Sequence, residues 1–239
     1  MENLKLLIQG EFSRMVKYKI LQISFVVTLI WVAVLFVIGD AQAKEFIPLF
    51  IFMDASLMSV MMIGANLFYE KQENTLKTLL ITPSGLGGII FSKIIGSIIL
   101  ALQSALVISL ASYFLFDVSF NFALLYSFIV IIAFLHSIIG FVFSIMAKDF
   151  NGLLVLVVVY MLIFAFPSIF YALGVLSENW AYGLLFSPTH ASLIMIEYGV
   201  DFTHELWTLV FGSVYLVVLG AILLKFVVFP LYMKDAVRD

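Results

Sequence analysis

Residues Phe122–Ala147 read FALLYSFIVIIAFLHSIIGFVFSIMA, an unbroken run without Asp, Glu, Lys or Arg. A helix needs about 20 such residues to cross the roughly 30 Å hydrocarbon layer of a bilayer, so this stretch predicts a membrane-spanning helix. Five further stretches meet the same criterion: Ile20–Ile38, Phe46–Phe68, Ile94–Phe116, Gly152–Leu173 and Trp207–Phe229. The expected fold is therefore all-α and integral to the membrane. It is a single transmembrane domain over residues 1–239 with six transmembrane helices. Composition agrees: 64% of the 239 residues are hydrophobic, only 11% are charged, and the mean hydropathy is +1.19. A water-soluble domain of this length needs far more charge to cover its surface.

Charge placement sets the orientation. With the N-terminus inside, Lys5, Arg14, Lys17, Lys19, Lys71, Lys77, Lys93, Lys148, Lys225, Lys234 and Arg238 are all inside, and Lys44 alone is outside. The opposite loops are acidic, with Asp40, Glu45, Asp117, Glu178, Glu197, Asp201 and Glu205. The excess of Lys and Arg on one side predicts that both termini are cytoplasmic, in a multi-pass protein of the cell membrane. The N-terminal residues lack the pattern of a cleavable signal peptide.

Before the first span, Leu4, Ile8, Phe12 and Met15 recur at helical spacing, with Lys5, Gln9, Ser13, Arg14 and Lys17 on the other side. Residues 1–19 are expected to form an amphipathic helix at the inner interface. It could act as a topological anchor or as a connecting helix against a partner; the spacing alone leaves both open.

Tyr69–Lys93 is the longest inner segment. Leu76, Leu79 and Leu80 fall on one side of a short helix, and Thr82-Pro83-Ser84-Gly85 ends it, because Pro cannot continue a helix and Gly permits positive φ. A solvated hairpin and a rigid knob presented to a partner both fit. The motif Glu70-x-x-Glu73-x-Thr75-Leu76-x-x-Leu79-Leu80-x-Thr82-Pro83 resembles the cytoplasmic signature of ABC type-2 transporter permeases, and it lies where that family carries it, after the second of six spans. Asn74 and Lys77 depart from the usual Gly and Glu. The resemblance implies that the loop docks on a separate ATPase subunit through Glu70, Glu73, Thr75, Leu76, Leu79 and Pro83. It also implies pairing with a second permease copy, identical or related, and export of a drug, peptide or lipid by alternating access.

No Gly-x-x-x-x-Gly-Lys-Ser/Thr phosphate loop occurs, and three His with no Cys give no metal-ligand spacing. The chain is expected to be no enzyme and to hold no cofactor, with ATP bound by the partner and no nucleic acid involved.

Ionisable groups within spans are costly and so mark candidate sites. Asp54 lies in span two and His136 in span four, the latter sharing a face with Gly140, Ser144 and Lys148. Each could be a buried packing residue or line a path, and the two could pair. Ser97, Ala101, Ala105 and Ser109 form a small-residue seam on span three, and Pro167 should break or kink span five.

Residues 174–206 are too polar to span and too apolar for an ordinary loop. Within them Ser187 is placed as an N-cap, Pro188 at the first helical position, and Gly199 just past the end, with Glu197 in the last turn. About eleven residues cover only ~17 Å, so this helix should dip into the outer leaflet and return. The resemblance implies a pair of such re-entrant helices closing the outer side. Two other functions compete: an ion-coupled secondary transporter using Asp54, and a membrane assembly factor that moves nothing.

Overall fold

The structure is a computed structural model that describes residues 2–73, 85–201 and 204–238. It contains no strand among them. Six helices are long and apolar enough to cross a membrane: Ile20–Ile38, Gln42–Glu70, Gly85–Phe116, Phe122–Met146, Phe150–Ala172 and Leu206–Met233. They are called spans one to six below. An N-terminal helix, Glu2–Lys17, precedes them, and a connector helix, Pro188–Asp201, lies between spans five and six. The basic end of the bundle carries the N-terminal helix and the junction of spans two and three. The acidic end carries Lys44, Glu45, Asp117 and Glu197.

Spans two, three and four form the centre. Span two buries 67% of its most apolar stretch, whereas span six buries 17%. Close approach explains the packing. A Cβ on Gly140 of span four would stand 2.7 Å from the Val60 carbonyl oxygen of span two, so only glycine lets these two backbones touch. The predicted seam of Ser97, Ala101, Ala105 and Ser109 is buried throughout. Small side chains there bring span three against its neighbours and gain van der Waals contact where no hydrophobic drive exists.

Two local expectations are corrected and one, at Pro167, is narrowed. Span five does not break at Pro167: a π-helical turn over Met161–Ala165 carries the chain past it, with the Phe166 N–H donating to the Met161 carbonyl. Proline lacks an N–H and its ring crowds the carbonyl four residues back, and a widened turn relieves both. Span six repeats the device, with a π turn at Leu224–Val228 ahead of Pro230 and the Phe229 N–H donating to Leu224. The connector helix does not stop at Gly199 but runs to Asp201, giving 14 residues. Gly199 serves close approach instead, since a Cβ there would meet the Leu125 backbone at 3.2 Å. Lastly, Arg14 does not lie on the solvent side of the N-terminal helix. It turns inward with Glu11 and Met15, while Phe12 is 45% exposed.

Candidate functional site

The N-terminal helix seats against span three at Gly96, where a Cβ would meet Met15 Sδ at 3.1 Å and Glu11 Cγ at 3.3 Å. This absence of a side chain admits Glu11 into the bundle, where it is 1% exposed. Around it the basic end assembles a buried charge cluster. Lys93 Nζ lies 2.5 Å from Glu70 Oε1 and 3.2 Å from Glu11 Oε2. Arg14 reaches Glu11 Oε2 at 2.5 Å and Glu70 Oε1 at 3.0 Å. Asn66 donates through Nδ2 to Glu11 Oε1. Among the described residues two carboxylates and two cations balance. Burial disfavours charge on Glu11, but Lys93 and Arg14 outweigh it and hold the carboxyl below its usual range.

A second, exposed layer continues the cluster toward the loop. Lys17 Nζ donates to both oxygens of Glu73 at 2.8 Å, and the Tyr18 hydroxyl donates to Glu73 Oε2 at 2.8 Å. The Tyr18 ring stacks on Tyr69 with centroids 4.9 Å apart. Partial burial and the Glu73 carboxylate push the Tyr18 hydroxyl up to about 12, while the Lys17 and Tyr18 hydrogen bonds lower Glu73.

Of the six residues expected to contact an ATPase, Glu70 is fully buried in the cluster and Glu73 is at the surface. Thr75, Leu76, Leu79 and Pro83 lie outside the described residues. The fastening itself was not anticipated. Glu11 could have been noticed, because it interrupts the apolar stripe between Ile8 and Met15. Its partners Asn66 and Lys93 are 55 and 82 positions away and leave no local signal.

Asp54 and His136 make no hydrogen bond to each other. Asp54 Oδ2 lies 2.6 Å from Thr28 Oγ1 of span one. His136 places Nδ1 2.9 Å from the Ile132 carbonyl and Nε2 3.1 Å from the Tyr160 hydroxyl of span five. Both side chains are buried, so each ties two spans together. On the face expected of His136, Gly140 and Ser144 turn inward, but Lys148 is exposed beyond the helix end.

At the acidic end, Ser187–Ile196 is buried throughout. At the π turn of span five the Phe164 carbonyl accepts from two hydroxyls, at 2.6 Å from Thr189 and 2.7 Å from Ser168. Ser187 Oγ lies 2.8 Å from Thr189 Oγ1. Ser187 therefore opens the connector helix by accepting from Ala191 N at 3.0 Å, while its side chain joins this latch. Pro188 is the first helical residue. Glu197 pairs with His204 at 2.7 Å and lines a cavity of about 490 Å³ with Lys44, Glu45 and Asp117. Among the described residues no group of three His, Cys, Asp or Glu could hold a metal ion.

A family model described as ABC-2 type transporter matches residues 2–199, from the N-terminal helix through spans one to five and most of the connector helix. No curated protein is significantly similar to the chain in sequence. The chain belongs to the ABC-2 type transporter family, as a multi-pass membrane permease component.

Proposed function

We propose that this chain is the membrane subunit of an ATP-binding cassette exporter that moves a hydrophobic or amphipathic substrate by alternating access. The basic end faces the cytoplasm, and a separate ATPase subunit binds ATP and docks there. The second permease copy pairs alongside. The observation that carries this reading is the fastening at the basic end. The stem of the 69–93 loop is tied by Glu70 and Glu73 to both the N-terminal helix and span three. A push on the loop would then reach three helices as one body. Glu73, Thr75, Leu76, Leu79 and Pro83 are assigned the contact with the ATPase, and Glu70 the transmission behind it. Peripheral spans that bury little of their own surface suit a second copy and lipid as neighbours. The connector helix is assigned the role of a re-entrant plug on the outer side.

The test replaces Glu73 and Leu79 together by lysine in the full chain, purified from its native membranes in mild detergent. Loss of vanadate-sensitive ATP hydrolysis from the purified material, with the permease still folded, is expected. Unchanged hydrolysis and transport would remove the loop from the mechanism.

A further inference from the structure

Span two carries its only mid-span carboxyl at Asp54, which is 1% exposed. It lies sixteen residues from Glu70, or ~24 Å along the helix. Its surroundings contain hydroxyls and, among the described residues, no cation. Thr28 Oγ1 lies 2.6 Å from Asp54 Oδ2 and 3.0 Å from the Ser24 carbonyl one turn earlier. Ser104 of span three also faces the carboxyl and gives its own hydrogen to the Ala101 carbonyl at 3.1 Å. Asp54 Oδ1 has no hydrogen-bond partner.

The hydrogens can be counted. A threonine hydroxyl carries one. The Ser24 carbonyl can only accept, and the carbonyl one turn back is the ordinary partner of a helical threonine. With that hydrogen given to Ser24, the 2.6 Å contact needs its hydrogen from the other side, which is the carboxyl of Asp54.

The charges agree. Span one contains no ionisable residue. On span three, Lys93 is eleven residues below Ser104, ~16 Å away, and is held by Glu11 and Glu70, while Tyr113 is exposed. On span four, Tyr126 meets Ser109 and His136 meets Ile132 and Tyr160 of span five. On the connector helix, His190 packs on Tyr171, Glu197 pairs with His204, and Tyr198 lies beyond. On span two itself, Lys44, Glu45 and Glu70 sit at the two ends. An ionised Asp54 would therefore be an uncompensated charge at hydrocarbon depth with one oxygen unbonded, the arrangement membranes tolerate least.

We infer that Asp54 is a proton-binding site: it stands as the neutral carboxylic acid, donates its hydrogen to Thr28 Oγ1, and so clamps span two to span one. The proton is a bound structural ligand there, and the clamp involves no metal ion. The inference does not depend on the export reading, since the counting holds whatever the chain moves.

Infrared spectroscopy of the full chain in lipid nanodiscs tests it, using Asp54→Asn and Thr28→Val. The wild type should show the carbonyl stretch of a protonated carboxyl, unchanged from mildly acidic to mildly alkaline buffer and absent from Asp54→Asn. Thr28→Val should keep the band and move it to higher frequency, as loss of the hydrogen bond requires. A carboxylate stretch that disappears in Asp54→Asn, in place of the acid band, would overturn the inference. So would a band unmoved by Thr28→Val. Should Asp54→Asn fail to fold, carbon-13 labelling of aspartate in the wild type identifies the band, and Thr28→Val carries the test.

Discussion

The two ends of the bundle are fastened by different chemistry. At the basic end, Glu11, Arg14, Glu70 and Lys93 join the N-terminal helix to spans two and three through full charges. Toward the acidic end, Ser168, Ser187 and Thr189 join the connector helix to span five through hydroxyls that converge on one carbonyl. The charges sit at the basic end, where the buried carboxylates of Glu11 and Glu70 meet Lys93 and Arg14. The hydroxyls meet at a carbonyl of the π turn and satisfy it within the protein. The first fastening is expected to fail as a unit when one member is removed, because a buried charge is then left uncompensated. The second is a set of small, replaceable bonds. A helix pair that has to separate during a transport cycle is better served by the second, and a helix pair that has to transmit a push by the first.

The largest effect should come from the basic end. Lys93→Met conserves volume but leaves Glu11 and Glu70 with Arg14 alone. Removing one partner from a buried charge pair typically costs about 3–5 kcal/mol. The variant should lose most of its folded population in detergent, read by fluorescence-detected size exclusion after heating. The double variant Glu11→Gln with Lys93→Met restores neutrality and should recover much of the loss. Equal damage in the single and the double would mean that lysine packs there without balancing charge, and the contrast between the two ends would fall.

At the acidic end the expected effect is smaller. Thr189→Val or Ser168→Ala each removes one donor from the Phe164 carbonyl while the other remains; the Thr189 bond crosses from the connector helix, and interhelical hydrogen bonds are worth about 0.6 kcal/mol on average, whereas the Ser168 bond lies within span five. Together they should cost more than the sum, because Ser187 at 3.4 Å is then the one hydroxyl donor left of the three in the latch. Additive thermal shifts in the pair would show that the carbonyl finds another partner, and that the latch is not a unit.

Much of this architecture was legible in the sequence, for a physical reason. An apolar run such as Phe122–Ala147 needs no tertiary context to be read, because the bilayer, not the rest of the chain, decides its fate. The small-residue seam on span three was legible for the same reason. The burial of the connector helix was half legible: its length excluded a crossing, but Gly199 was misread as a stop because close approach to Leu125 leaves no trace in local spacing. The charge cluster was least legible. Glu11 and Lys93 are brought together by the packing at Gly96, and Arg14 looked like a solvent residue because the stripe was counted without it. Pro167 announced a disturbance, yet the local sequence does not say that a π turn carries the helix on in place of a break.

The smallest expected effect concerns Glu73, and it separates two roles that the geometry leaves joined. Glu73 is exposed and bonded to Lys17 and Tyr18, and exposed ion pairs contribute little to stability. Glu73→Gln should therefore melt with the wild type, unlike Lys93→Met. The informative companion is Lys17→Met, which breaks the same bridge but keeps the Glu73 carboxylate, with Tyr18 still donating to it. If Glu73 acts as a contact for the ATPase, Lys17→Met retains ATP hydrolysis in the purified complex and Glu73→Gln weakens it. If Glu73 acts only by tying the loop to the N-terminal helix, both variants weaken it alike. Docking through this loop predicts the first pattern, because the bridge is too weak to hold the loop by itself, whereas the buried cluster behind it is not.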